Sequence, residues 1–186
     1  MAAGSASRVL RAPGRLVVDP SNLALNYPYG GTEVGRTRLV VLQMLGTGFR
    51  VESEGLGGEA SDVVESTNRF VLSCFLRGWD DAAVERFFAR NYTQGAVSGH
   101  AVFAEPGNAE PGRSALARAV SLLYVPDDAV HAPSVLIYRG VPDWSEGAEV
   151  AYQRGEELGI PLAVECVRST TGKILEVGRL VDLSLT

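Results

Sequence analysis

Short apolar runs, separated by glycine, proline, aspartate and asparagine, recur along almost the whole chain and constrain its fold more than any other feature. Runs of this length, bounded by turn residues, are typical of β-strands. The last run predicts a half-buried antiparallel strand to the chain end, because Leu175, Val177 and Val181 share one face of it. The predicted strands cover residues 15–18, 38–45, 49–54, 69–76, 101–105, 119–125, 134–140, 161–167 and 173–185.

Two segments interrupt this pattern with signals for helices. In residues 77–91, Asp80 can cap a helix that carries an apolar face. In residues 142–161, Asp143 and Glu146 have the spacing of a capping box. The sequence therefore predicts a mainly β protein, a β-sandwich or barrel with one or two flanking α-helices (α+β).

The length of 186 residues fits one domain, which at this size buries roughly 70% of the surface of its unfolded chain. Residues 1–14 lack periodicity, so we expect a flexible N-terminal arm followed by a single β-rich domain over residues 15–186. Residues 105–114 are expected to form an exposed loop. The apolar runs are too short for a spanning helix or a signal peptide, which predicts a soluble protein made in a cytoplasm.

The stretch Asn26 to Arg38, "NYPYGGTEVGRTR", first suggests a phosphate-binding loop. It lacks the lysine of a P-loop, and a strand rather than a helix follows it, so nucleotide binding is not expected. We interpret it as a corner, where Gly30 and Gly31 allow positive φ and Tyr27 and Tyr29 are available for packing.

Catalytic and metal-binding patterns are weak. His131 follows Asp127 and Asp128 in a proline-flanked loop, where carboxylates usually cap backbone amides rather than bind a metal. Cys74 and Cys166 lie in apolar runs and are predicted to be buried free thiols. We therefore expect no enzymatic activity, no cofactor and no metal site.

Four segments together resemble the tail tube and tube-like virion proteins of tailed bacteriophages, over most of the chain from about Gly14 to the end. The segments are residues 20–35 ("PSNLALNYPYGGTEVG"), 49–66 ("FRVESEGLGGEASDVVES"), 69–88 ("RFVLSCFLRGWDDAAVERFF") and 172–186 ("GKILEVGRLVDLSLT"). The resemblance implies a β-sandwich or barrel flanked by a helix, in six-fold rings that stack into a conduit for DNA.

Under this resemblance the expected partners are other copies of the chain and neighbouring tail proteins, with DNA passing through unbound and no membrane contact. Its expected location is the virion tail, assembled in the host cytoplasm. The net charge of −5 agrees, because a basic wall would hold phosphates. Ring closure would also pair the strand edges that a β domain leaves open.

Two groups of residues are candidates for functional roles in such an assembly. The first is a loop at the subunit boundary, formed by Tyr27, Tyr29, Gly30, Gly31 and Gly35. The second is a group of carboxylates that line the lumen or lie between stacked rings: Glu52, Glu54, Glu59, Asp62 and Glu65. For any one of these carboxylates, a solvated outer position is the competing interpretation.

Other functions remain open from sequence. A neck, connector or tail-tip ring protein of the same virion would carry the same resemblance. A small-ligand-binding β-barrel or another stand-alone enzyme or binder would be monomeric or dimeric, with a cavity. A capsid-decorating or adhesion domain would form trimers or isolated monomers on a shell.

Overall fold

The computed structural model describes most of the chain's apolar runs. The described residues are 8–10, 13–52, 60–79, 92–94, 101–103, 116, 119–129, 131–142 and 159–185. Their strands are β1 (Arg8–Leu10), β2 (Gly14–Val18), β3 (Thr32–Glu52), β4 (Ala60–Trp79), β5 (Tyr92–Gln94), β6 (Ala101–Phe103), β7 (Val120–Pro126), β8 (Ser134–Pro142), β9 (Ile160–Cys166) and β10 (Leu175–Gly178). A 3-10 helix, Leu180–Asp182, follows β10.

Six of these strands form a closed antiparallel barrel in the order β3-β2-β7-β8-β9-β4, completed by pairing between β3 and β4. β1 adds to β3, β10 adds to β8, and β5 and β6 form a separate pair. The prediction of a mainly β fold is confirmed, and a barrel replaces the β-sandwich alternative. Within the segment predicted as an N-terminal arm, β1 lies along β3.

Alternating apolar side chains from all six strands fill the barrel interior. On β2, for example, Leu16 and Val18 point inward, whereas Val17 between them points outward. The interior residues are Leu16, Val18, Val34, Val40, Leu42, Leu72, Cys74, Leu76, Leu122, Tyr124, Val135, Ile137, Leu162, Val164 and Cys166. The barrel therefore encloses a packed core, as expected for so few strands.

The two cysteines are free and buried, as predicted. Cys74 lies on β4 and Cys166 on the neighbouring β9, and both belong to the barrel core. Burial raises the pKa of each thiol to about 12. Both side chains therefore act as small apolar core residues at neutral pH.

A second apolar layer lies outside the barrel. Val17, Leu123 and Leu136 are direct neighbours across β2, β7 and β8, and all three are fully buried. Side chains from the loop between β2 and β3, from β7 and β8, and from the C-terminal segment cover them, namely Leu23, Tyr27, Tyr29, Val125, Tyr138, Leu180, Leu183 and Leu185. This side of the barrel is thus buried on both faces.

Several strand predictions are wrong in extent. The predicted strands 38–45 and 49–54 belong to one strand, β3, as far as Glu52, because the β3–β4 ladder continues through Gly46 and Gly48 with a register shift between Thr47 and Gly48. The predicted strand 69–76 is part of the longer β4. The final strand ends at Gly178 rather than running to residue 185. There Arg179 pairs with Asp182, at 2.7 Å from Nε to Oδ2, and this i,i+3 spacing suits a 3-10 turn.

The remaining predictions of local structure concern two helices and a loop. The segments that carry the helix signals, residues 80–91 and 143–158, lie outside the described residues, as does the loop 105–114. Within the part of the chain that is described, no helix has the length and apolar character to cross a membrane.

Candidate functional site

The corner predicted within residues 26–38 is part of a closed loop, residues 19–31, between β2 and β3. Its two ends are joined because the amides of Ser21 and Asn22 both donate to the carbonyl of Tyr29, at 3.0 and 3.1 Å. The Tyr29 amide donates to the carbonyl of Asn26 at 2.9 Å, and the peptide bond before Pro28 is cis. Backbone hydrogen bonds thus fix the shape of this corner loop.

The glycines of the corner loop serve two different needs. Gly30 has a φ of 71°, in the left-handed region that favours glycine, which confirms the prediction at this position. Gly31 lies outside that region, so the prediction of positive φ there is wrong. It is needed for close approach, because a Cβ at Gly31 would lie 2.5 Å from the carbonyl oxygen of Val18. Gly35 follows on β3, beside the bulge in the β2–β3 ladder.

The two tyrosines of the loop pack against each other and against the barrel. Their rings meet edge to face, with centroids 5.8 Å apart, and the Arg15 guanidinium lies 4.8 Å from the Tyr27 ring centroid. Burial raises the pKa of the Tyr27 phenol well above its ordinary value, and the neighbouring Glu33 carboxylate raises it further. Tyr27 is therefore neutral and packs over the outer apolar layer, while a role at a subunit boundary stays a prediction.

The C-terminal segment covers the same outer layer and is held by a polar cluster. The Glu176 carboxylate accepts from the Ser184 amide and from Lys173 Nζ, both at 3.0 Å. Tyr138 donates its hydroxyl proton to the Ser184 carbonyl at 2.7 Å and accepts from Lys173 Nζ at 3.2 Å. The Ser184 amide is the main cause that lowers the pKa of Glu176. These contacts fasten residues 179–185 over Leu136.

Three of the five predicted carboxylates lie at the far end of the β3–β4 hairpin. Glu52 is the last residue of β3, and Asp62 and Glu65 lie on β4 opposite Val51 and Gly48. Glu54 and Glu59 lie outside the described residues. The structure therefore places Glu52, Asp62 and Glu65 near the tip of one hairpin, which we call the hairpin tip (residues 48–52 and 60–65).

The hairpin extends well beyond the barrel. β9 pairs with β4 only over residues 70–76, and β1 pairs with β3 only over residues 40–42. Beyond these points β3 and β4 pair only with each other among the described strands, over residues 43–52 and 60–69. At about 3.3 Å per residue, residues 60–69 form a ribbon roughly 30 Å long. Both edges of this ribbon are open within the described structure.

A group of exposed side chains on the outer face of β3 and β4 was missed from the sequence. Arg36 and Arg38 are exposed on either side of the buried Thr37, and Phe75, opposite Arg38, is 45% exposed. Leu39 is also 45% exposed and has a φ of 53° at a register shift between Arg38 and Val41. We call these residues, Arg36, Arg38, Leu39 and Phe75, the β3–β4 patch.

The position of Leu39 explains why the sequence pattern does not predict the patch. At the register shift, β3 has one more residue than β4 and forms a bulge. Without this additional residue, alternation from the inward Thr37 would place Leu39 inside the barrel and Val40 outside. The bulge reverses this, so Val40 is fully buried and Leu39 is exposed. The arginines at alternate positions, Arg36 and Arg38, are the one signal in the sequence that could have indicated a charged outer face.

The histidine loop contains a local contact between His131 and Asp128. His131 Nδ1 lies 2.9 Å from Oδ2 of Asp128, in an exposed turn. Among the described residues, no three histidine, cysteine, aspartate or glutamate side chains come together in a way that could hold a metal ion. The pair acts as a local turn contact.

Comparison of the sequence with protein-family models and with curated proteins gives no match.

Proposed function

We propose that this chain is a structural virion protein that assembles into stacked rings of six-fold symmetry, which form the tail tube of a tailed bacteriophage and conduct DNA. The protein acts by assembly and catalyses no reaction. It requires no cofactor, and its partners are further copies of itself and neighbouring tail proteins. It assembles in the host cytoplasm and functions in the virion tail.

The observation that carries this proposal is the β3–β4 ribbon beyond the barrel. A two-stranded ribbon is at best marginally stable in water, and each open edge presents unpaired backbone amides and carbonyls. Pairing with a neighbouring subunit would satisfy both edges and fix the ribbon. In a ring, every subunit offers and receives such a contact, so no edge remains open.

The rest of the chain supports the proposal in simpler ways. The barrel, packed inside and covered outside on β2, β7 and β8, supplies a rigid base from which the ribbon extends. A net charge of −5 suits a wall along which DNA slides. We further propose that one or two helices flank the barrel, as the signals in residues 77–91 and 142–161 predict.

The small-ligand alternative gains no support from the described barrel. A ligand-binding barrel needs a cavity, whereas large side chains such as Leu72, Leu122 and Tyr124 occupy the interior that the described strands enclose. A neck, connector or tail-tip ring protein would use the same ribbon, so the open edges favour ring assembly without fixing the position along the tail.

The first test measures assembly of the purified protein. We expect rings or tubes on electron micrographs, and a sedimenting mass that rises with concentration up to a few hundred micromolar. A strictly monomeric mass over this range, with no rings on grids and no rescue by other tail proteins, would contradict the proposal.

Proline substitution at neighbouring positions of β4 provides a matched control. Along an antiparallel strand, backbone N–H groups point alternately to the paired strand and to the open edge. One of the substitutions Val63→Pro and Val64→Pro therefore removes an N–H that points to β3, and the other removes an N–H that points to the open edge. We expect one of the two variants to lose assembly while its melting temperature stays near that of the wild type, and the other to lose stability. Assembly like wild type in both would remove the ribbon edge from the interface.

A further inference from the structure

The β3–β4 patch combines the side-chain types that dominate protein interfaces. Phe75 and Leu39 expose apolar surface, and Arg36 and Arg38 lie next to them on the same outer face. The two guanidinium groups make no ion pair or hydrogen bond with another described residue. Aromatic and arginine side chains are enriched in interfaces and supply most of the residues that are costly to truncate.

The backbone at Leu39 adds an independent observation. A leucine in the left-handed region costs roughly 1–2 kcal/mol relative to its normal conformation. Here that cost accompanies an apolar side chain that remains 45% exposed. Strained positions of this kind are often retained at functional sites.

The hairpin tip carries charge of the opposite sign. The tip contains Arg50 and three carboxylates, Glu52, Asp62 and Glu65. The tip and the patch lie on the same two strands, and Arg38 is fourteen residues from Glu52 along β3, about 45 Å. This distance exceeds the screening length of about 8–10 Å several-fold, so the tip cannot neutralise the patch of its own chain.

We propose that the β3–β4 patch binds the acidic hairpin tip of a second copy of this chain. The arginines pair with tip carboxylates, and Leu39 and Phe75 pack against the ribbon. Because the two surfaces differ, the contact is head-to-tail and propagates from subunit to subunit, closing as a ring or extending as a stack. This inference rests on the proposed self-assembly for its partner, and it places the carboxylates at a subunit contact rather than in the lumen.

Single charge reversals give a matched pair of variants. Arg38→Glu alters the patch, whereas Arg168→Glu makes the same change of charge at an exposed position after β9. We expect Arg38→Glu to weaken self-association at least about tenfold and Arg168→Glu to change it less than about twofold. Equal effects from both would overturn the inference. Wild-type association should also weaken with added salt.

Reciprocal charge reversal tests the contact directly. One variant carries Arg36→Glu and Arg38→Glu. The other carries Glu52→Arg, Asp62→Arg and Glu65→Arg, so that basic residues outnumber the carboxylates left in residues 48–65, which are Glu54 and Glu59. Each alone brings like charges together, whereas a mixture of the two makes both contacts complementary again. We therefore expect sedimentation to show association only in the mixture, which a folding defect cannot produce.

The outcomes separate this inference from the proposed function. If each charge-reversed variant alone forms rings as well as the wild type does, the patch–tip contact is overturned while the proposed function stands. If the mixture associates but the wild type never forms rings or tubes, the contact stands and the proposed function fails. If the wild type and the mixture both stay monomeric, both proposals fail.

Discussion

The two sides of the barrel use the same strand alternation but present opposite surfaces. On β2, β7 and β8, the outward residues Val17, Leu123 and Leu136 are apolar and lie beneath the corner loop and the C-terminal segment. On β3 and β4, the outward Arg38 and Phe75 remain exposed, and the strands continue as a ribbon with no other described strand at its edges. The covered side therefore stabilises the monomer, and we propose that the open side makes the contacts between subunits.

The largest effect is expected on the covered side. Leu136→Ala should lower the free energy of unfolding by about 2–5 kcal/mol, because a fully buried side chain would leave a cavity beneath the C-terminal segment. Chemical denaturation measures this loss. The matched change on the open side, Phe75→Ala, should cost less than about 1 kcal/mol while weakening self-association at least about tenfold. Similar losses of unfolding free energy in both variants would contradict the assignment of Leu136 to the stabilising side and Phe75 to the open side.

The corner loop offers the next largest effect. Gly31→Ala should destabilise the monomer by about 1–3 kcal/mol, because its Cβ would collide with the backbone of Val18. Gly78→Ala on the open side is the control, since a Cβ there meets nothing within 4 Å. Thermal melting of both variants checks the prediction, and an unchanged melting temperature for Gly31→Ala would show that the close approach is not required.

Leu39→Asn separates stability from assembly at a single residue. Asparagine tolerates the left-handed region better than leucine does, so the free energy of unfolding should stay constant or rise by up to about 1 kcal/mol. Self-association should nevertheless weaken, because apolar contact surface is lost. Leu45→Asn, at an exposed position on the same strand without positive φ, should give no gain in stability. A large loss of stability in Leu39→Asn would assign that residue to the fold instead.

The smallest effect concerns the C-terminal cover. Since the pKa of Glu176 is lowered by the fold, its ionised form stabilises the folded state above its ordinary pKa, and this contribution is lost as pH falls through the lowered value. Hydrogen exchange at the Ser184 amide should therefore speed up, relative to the rest of the barrel, at acidic pH. Glu176→Gln should remove this pH dependence while leaving the barrel intact, and an unchanged pH profile would contradict the role of Glu176.

Much of the barrel could be predicted from the sequence, because apolar runs such as residues 15–18 and 134–140 mark strands whatever their neighbours are. The order of strands could not be predicted. β9 lies between β8 and β4 through pairings such as Cys74 with Leu162, which are far apart in the chain. No local pattern encodes such long-range pairings.

Some features of the candidate site could be predicted from the sequence, and others depend on the three-dimensional structure. Gly30 was predictable because adjacent glycines in a polar turn favour positive φ, whereas the need for Gly31 depends on its distance to Val18. The exposure of Leu39 follows from a one-residue bulge that leaves no mark in composition. Grouping of Glu52 with Asp62 and Glu65 was visible in the sequence, but their place at the end of a projecting ribbon was not.

Hydrogen exchange of the dilute monomer and of the assembled protein tests the central claim most directly, namely that the open ribbon is the surface used between subunits. The account predicts that amides in residues 43–52 and 60–69 exchange fast in the monomer at the outer edges and become protected on assembly. Val17, Leu123 and Leu136 should be protected equally in both states. Protection gained at the covered side, with the ribbon unchanged between monomer and assembly, would contradict the account.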